Sequence, residues 1–166
     1  MAITTKIMTA AEVKSEVAIA NSFDNAAFDN YILEAQRQYI KPFLGEDFYN
    51  TILDQVESTA TQTAENTNLL TNFLKPTLAR FVLFETLPEL RNQLTSKGLF
   101  VNQSEFSEAA TDKGYADFRN AILKSAERYK EHMKDWMRDE IDDGNATYSQ
   151  WDQGDSHQNK YGFITY

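Results

Sequence analysis

Residues 77–87, TLARFVLFETL, are apolar on nearly every side when wound into a helix, with Arg80 and Glu85 as the only charges. A helix without a polar face cannot rest on a surface, so this stretch is expected to be the central member of a bundle that other helices enclose. Leu69, Leu70, Phe73 and Leu74 lead into it. Pro76 fits a first-turn position or a kink, because mid-helix it would remove a hydrogen bond, and Pro88 is expected to close the helix.

The enclosing helices are legible from their stripes. Thr9-Ala10-Ala11-Glu12 has capping-box spacing and predicts a short helix over 9–18. From Asp24 or Asn25 to about Lys41, Phe28, Ile32, Ala35 and Tyr39 recur at helical steps with Tyr31 beside them, and Pro42 is expected to end this second helix. Gly45 and the acidic pair Glu46-Asp47 open a third, which buries Phe48, Tyr49, Ile52, Leu53 and Val56. The small, polar run 58–68 reads as a surface loop. The longest helix runs from about Asp112 to Ile141, with Tyr115, Phe118, Ile122, Ala126, Tyr129, Met133, Trp136 and Met137 on its core face. Glu127–Lys130, Glu131–Lys134 and Asp135–Arg138 pair on the other, and Gly144-Asn145 stops it.

Two segments lie outside this scheme. Leu94 to Val101 reads as a small hairpin or extended excursion, with Leu99, Phe100 and Val101 a short β-prone run. Residues 146–166 are polar and acidic yet carry Tyr148, Trp151, Tyr161, Phe163 and Tyr166. Disordered tails are poor in aromatics, so this segment is expected to dock, either on its own domain or on a neighbouring subunit. The expectation is a mainly α protein: one helical-bundle domain of four to five helices over 1–145, and an extended aromatic, acidic tail over 146–166. Because the helical stripes all precede Gly144, the bundle is expected to fold without the tail.

The chemical inventory is thin. The chain has no cysteine, which removes disulfides, thiolate zinc sites and cysteine nucleophiles. Its histidines are His132 and His157, and Glu131-His132 with Asp135 lacks the second Glu-x-x-His helix that a di-metal carboxylate bundle needs. Residues 139–145 lack the Asp spacing of a calcium loop, and the six glycines are scattered rather than gathered into a phosphate loop. The expectation is a protein that is not an enzyme, with no catalytic residue, no metal and no cofactor. A net charge of -9 disfavours binding driven by phosphate neutralisation. With no secretory leader and no apolar run near the ~20 residues of a membrane span, a soluble intracellular protein is expected. The charge is banded: residues 1–90 sum to -6, 91–138 to +2 and 139–166 to -5, which suits copies that stack with a positive band against a negative one.

The segment Tyr39-Ile40-Lys41-Pro42-Phe43-Leu44-Gly45-Glu46-Asp47-Phe48-Tyr49 joins two helices through a Pro-x-Leu-Gly turn, ahead of a buried apolar helix, a small excursion and a long last helix. Over residues 24–143 this order resembles the small helical head–tail connector (neck or adaptor) proteins of tailed bacteriophages and prophages. The resemblance implies a structural virion protein that forms a homo-oligomeric ring, commonly twelve-fold, between the portal protein and the tail or further neck proteins. It implies assembly in the host bacterial cytoplasm, residence in the virion neck, no membrane, and DNA passing through the lumen without specific binding. No catalytic residues exist in such proteins to carry over. By position, Leu99, Phe100 and Val101 and the tail aromatics Tyr148, Trp151, Tyr161, Phe163 and Tyr166 are the expected contacting elements. The charge alone supports an alternative reading, an acidic adaptor or inhibitor of a basic partner.

Overall fold

The capping box forms as the sequence predicts: Glu12 N–H donates to Thr9 Oγ1 at 3.2 Å, and Thr9 N–H donates back to Glu12 Oε2 at 2.7 Å. It starts α1, Ala10–Glu16, in a computed structural model that describes residues 5–18, 25–96, 112–149 and 151. Five helices make up the described part. After α1 come α2 (residues 25–44), α3 (Glu46–Val56), α4 (residues 64–96) and α5 (Asp112–Asp142), and no strand occurs among the described residues. The mainly α helical bundle expected from the sequence is the fold.

Helix α4 is the central element. Leu78, Ala79, Phe81, Val82, Leu83, Leu87 and Leu90 are buried along it, and it packs on α1, α2 and α5. Each of these leucine, valine and phenylalanine side chains contributes roughly 1.5–3 kcal/mol on burial, so this stretch carries much of the core. The buried threonines Thr77 and Thr86 satisfy their hydroxyls on the carbonyls of Phe73 (2.6 Å) and Val82 (2.7 Å), one turn back.

Pro42 and Pro88 behave differently from the sequence expectation, while Pro76 stands in the first turn after a widened stretch, the kind of position the sequence assigns it. Pro42 does not end α2. The helix widens into a π-helical stretch over Gln36–Ile40 and runs on through Lys41–Leu44. Helix α4 repeats the arrangement, with a π-helical stretch over Leu69–Leu74 immediately before Lys75-Pro76. Both stretches end with a lysine N–H bonded five residues back, Lys41 to Gln36 O and Lys75 to Leu70 O. A proline lacks the N–H and crowds the carbonyl four residues earlier; a wide turn just ahead of it takes up both defects without breaking the helix. Pro88 likewise lies inside α4, which extends to Ser96.

The widened turn also rotates the buried face of α2. Phe28, Ile32 and Ala35 are buried as expected, but beyond them Gln36 and Ile40 point inward, while Tyr39 is only partly covered. Gln36 is fully buried and fully used: its Oε1 accepts from Ile7 N–H at 2.8 Å, and its Nε2 donates to Thr5 O at 3.1 Å and Tyr49 Oη at 3.0 Å. This amide holds the segment ahead of α1 against the bundle, where Ile7, Met8, Ala10 and Val13 are buried. Ion pairs Lys6–Asp29 (2.9 Å) and Lys75–Glu12 (2.6 Å) flank it.

Gly45 separates α2 from α3 with φ +77° and ψ 159°, donating to Lys41 O and accepting from Tyr49 N–H, both at 3.0 Å. It thus ends one helix and starts the next within a single residue, in a backbone region that side chains exclude. The following loop is shorter than the expected 58–68, because Thr63 accepts from Asn66 N–H and starts α4 at Ala64.

Candidate assembly surface

At the end of α5, Gly144 turns with φ +90° and Asn145 takes over both sides of the turn: its Nδ2 donates to Glu140 Oε2 at 2.8 Å, and its Oδ1 accepts from Thr147 N–H at 3.1 Å. The single 3-10 turn Ala146–Tyr148 then directs the chain back onto the bundle. Tyr148 is fully buried, edge-on to Phe48 (5.9 Å) and Trp136 (5.4 Å), and its hydroxyl donates to Glu65 O at 2.9 Å. Trp151 is 1% exposed, tilts against Phe43 at 5.6 Å, and donates its indole N–H to Phe43 O at 2.9 Å. Phe73 stacks on Trp136 at 4.3 Å and completes the aromatic cluster.

This corrects the boundary read from the sequence. The helical domain does not stop at 145; it continues through Trp151, and Tyr148 and Trp151 are core residues rather than an exposed contact. Of the two docking choices, these aromatics take their own domain, because the joint at Gly45 and the start of α4 leave an apolar gap and two carbonyls that a phenol and an indole fill. The other expected contact residues, Leu99, Phe100, Val101, Tyr161, Phe163 and Tyr166, lie outside the described residues.

A second surface was not singled out by the sequence. Phe118, expected on the core face of α5, is 52% exposed, the one exposed large apolar side chain among the described residues. It heads a ridge in which Phe118, Ala121, Ser125, Arg128 and His132 recur at helical steps, with exposed Lys124 alongside. The signal was present in the spacing: Phe118 stands at the edge of the stripe that runs through Ile122, Ala126 and Met133.

Between α2, α4 and α5 lies a seam of rings and charges. Tyr39 stacks on Phe81 at 4.0 Å and donates a short hydrogen bond to the Glu85 carboxylate. Burial, reinforced by Glu85, pushes the Tyr39 phenol well above its ordinary range. Arg119 lies 4.1 Å over Phe84 and Arg80 3.5 Å over Tyr129, each a guanidinium covering a ring. Lys130 pairs with Glu127, as the i,i+3 spacing predicted. The seam binds three helices together. It lacks a nucleophile paired with a base, and among the described residues no three His, Asp or Glu side chains are grouped to hold a metal. A shallow depression along α2, lined by Asn30, Leu33, Glu34, Arg37 and Gln38, belongs to a single helix face.

The fold and its surfaces define a helical-bundle protein built around an enclosed central helix and sealed by the segment after its last helix. Residues 40–161 match the family of unknown function DUF6712, and the chain belongs to it. The match opens at the Lys41–Gly45 joint and takes in the Tyr148–Trp151 clasp. No curated protein and no solved structure matches the chain.

Proposed function

We propose that this protein is a structural subunit of a phage head–tail connector, forming a homo-oligomeric ring between portal and tail. The observation that carries the reading is the joint itself: α2 turns into α3 at Gly45 within one residue, followed by the enclosed α4 and the long α5, in the order on which the resemblance rests. Two further features support it. The clasp fixes Trp151 beside the α2–α3 joint, which gives every subunit of a ring the same closed joint. The net charge of -9 suits a lumen through which DNA slides without sticking.

The reading requires a protein that is monomeric or weakly associated alone, because like-charged copies repel, and that closes into a ring on the portal from the same genome. Electron microscopy of the purified protein mixed with that portal tests it. Closed rings capping the portal are expected; undecorated portals at saturating protein would remove the proposal.

A further inference from the structure

The segment ahead of α2 is fastened differently from the rest of the bundle. Residues 5–17 run as a strap against α2 and α4, burying Ile7, Met8, Ala10 and Val13, with Lys14 buried beside them. The strap's helix, α1, has seven residues, well below the roughly 12–15 at which a helix begins to hold in water by itself. It therefore keeps its shape only while seated. Gln36 grips the strap's main chain on either side of Lys6, accepting from Ile7 N–H and donating to Thr5 O. The ion pairs Lys6–Asp29 and Lys75–Glu12 are partly exposed, a setting in which each contributes little.

The contacts that close the other helices lie elsewhere. Trp151 on Phe43 O, Tyr148 between Phe48 and Trp136, Phe73 on Trp136 and Tyr39 on Phe81 join α2 to α5 with one another and with the segment after α5, and no strap residue is among them. Release of the strap leaves each of these in place. The hydrogen bonding of the bundle also survives release: water takes over Thr5 O and Ile7 N–H, Gln36 keeps its bond to Tyr49 Oη, and the Lys14 ammonium regains solvent. What holds the strap down is the burial of four apolar side chains, set against the conformational freedom that the whole segment gains on leaving.

We propose that residues 5–17 open from the bundle as one unit while α2 to α5 stay folded, with the Gln36 amide as the latch. The open state carries an apolar trough between α2 and α4, flanked by Asp29 and Gln36 on one side and Lys75 on the other. This device is independent of the connector reading and holds or fails without it.

Native-state amide exchange of the full chain at neutral pH reads the opening, with protection taken relative to intrinsic exchange. The N–H groups of Ile7, Val13 and Val17 bond to Gln36 Oε1, Thr9 O and Val13 O. They should share one protection factor, at least about tenfold below that of amides around Phe81 and Ala126, and respond only weakly to urea. Gln36→Leu leaves Thr5 O and Ile7 N–H without this partner in the closed state, so it should lower all three together by about tenfold more while the α4 and α5 amides stay protected. Ala126→Gly, within α5, should do the reverse, weakening protection around Phe81 and Ala126 and leaving the strap unchanged. Because the chain has no cysteine, Val13→Cys and Ala126→Cys each supply a sole thiol at a buried position, and the first should react with a thiol reagent in native buffer faster than the second. Strap protection equal to that of the α4 and α5 amides, with the same urea response, means that the strap leaves only when the whole protein unfolds and overturns the proposal. So does Gln36→Leu acting on Ile7 alone, because the release is then local and not that of a unit.

Discussion

The indole N–H of Trp151 donates to the main-chain oxygen of Phe43, 2.9 Å away across 108 positions of sequence. Phe43 lies in the last turn of α2, where helical carbonyls have no partner of their own. The segment after the last helix thus supplies the cap for the second one, while Tyr148 reaches the first turn of α4 through Glu65 O. The chain's most C-terminal described residue holds shut the same joint at which α2 becomes α3.

Removing the clasp should therefore damage the bundle. Burial of Tyr148 and Trp151 is lost when the chain is cut after Gly144, and large aromatic deletions cost roughly 3–5 kcal/mol each, a large part of the total stability of a domain this size. Truncation after Gly144 is expected to abolish or severely lower the cooperative melt seen by circular dichroism. Trp151→Ala alone should fall between that truncation and the full chain.

Two positive-φ positions predict opposite outcomes for substitutions involving glycine. Gly45, at φ +77° and ψ 159°, occupies a region essentially closed to other residues, so Gly45→Ala is expected to cost about 1–3 kcal/mol and lower the melting temperature by several degrees. Ser58, at φ +61° just past the end of α3, already carries a side chain in the left-handed region. Ser58→Gly should raise stability by up to ~1 kcal/mol. Thermal melts of the two variants check both signs.

What was legible in the sequence was periodicity and capping. Thr9 with Glu12, the α2 stripe through Phe28, Ile32 and Ala35, the glycine joint and the span of α5 all follow from local patterns and are found where those patterns place them. The errors share a different origin. Pro42 and Pro88 read as stops because a local rule says so, whereas Lys41 N–H bonding back to Gln36 O shows a wider turn absorbing the first of them. Tyr148 and Trp151 looked like tail because their partners, Phe43, Phe48 and Glu65, lie about 80 to 110 positions earlier, beyond the reach of any window. Phe118 fitted a stripe whose edge, not centre, it occupies.

In acid, α1 is expected to loosen first. Partial burial works against ionisation of Glu12, but the Lys75 ammonium and the Thr9 amide and hydroxyl outweigh it, so its pKa is lowered in the folded protein. A group depressed on folding contributes stability that is present above its unfolded pKa of about 4.5 and is lost as pH falls through the lower folded value. The pair is partly exposed, so the contribution is at most about 1 kcal/mol. Protection of the amides in residues 7–16, taken relative to intrinsic exchange at the same pH, should fall below about pH 4.5 in the native protein. Glu12→Gln should show the lower protection at every pH, with little further acid dependence.

In alkali, the tyrosines should set the limit. Burial, aided by Glu85 at Tyr39 and by Glu140 and Glu65 at Tyr148, raises both phenols above the ordinary value of 10.0. The folded protein keeps these protons while the unfolded chain gives them up near pH 10, so the unfolded state binds fewer protons and stability falls as pH rises. Their contribution is complete below about pH 10 and is lost as pH climbs from there toward the raised folded values. Loss of helical signal and ultraviolet absorption by ionised tyrosine should therefore rise together in one alkaline transition. Tyr39→Phe keeps the ring on Phe81 but has no proton to lose, and it should shift that transition to higher pH even if it lowers stability at neutrality. A transition unmoved by Tyr39→Phe, or tyrosine ionisation complete while the helices persist, would show that these phenols do not couple to the fold.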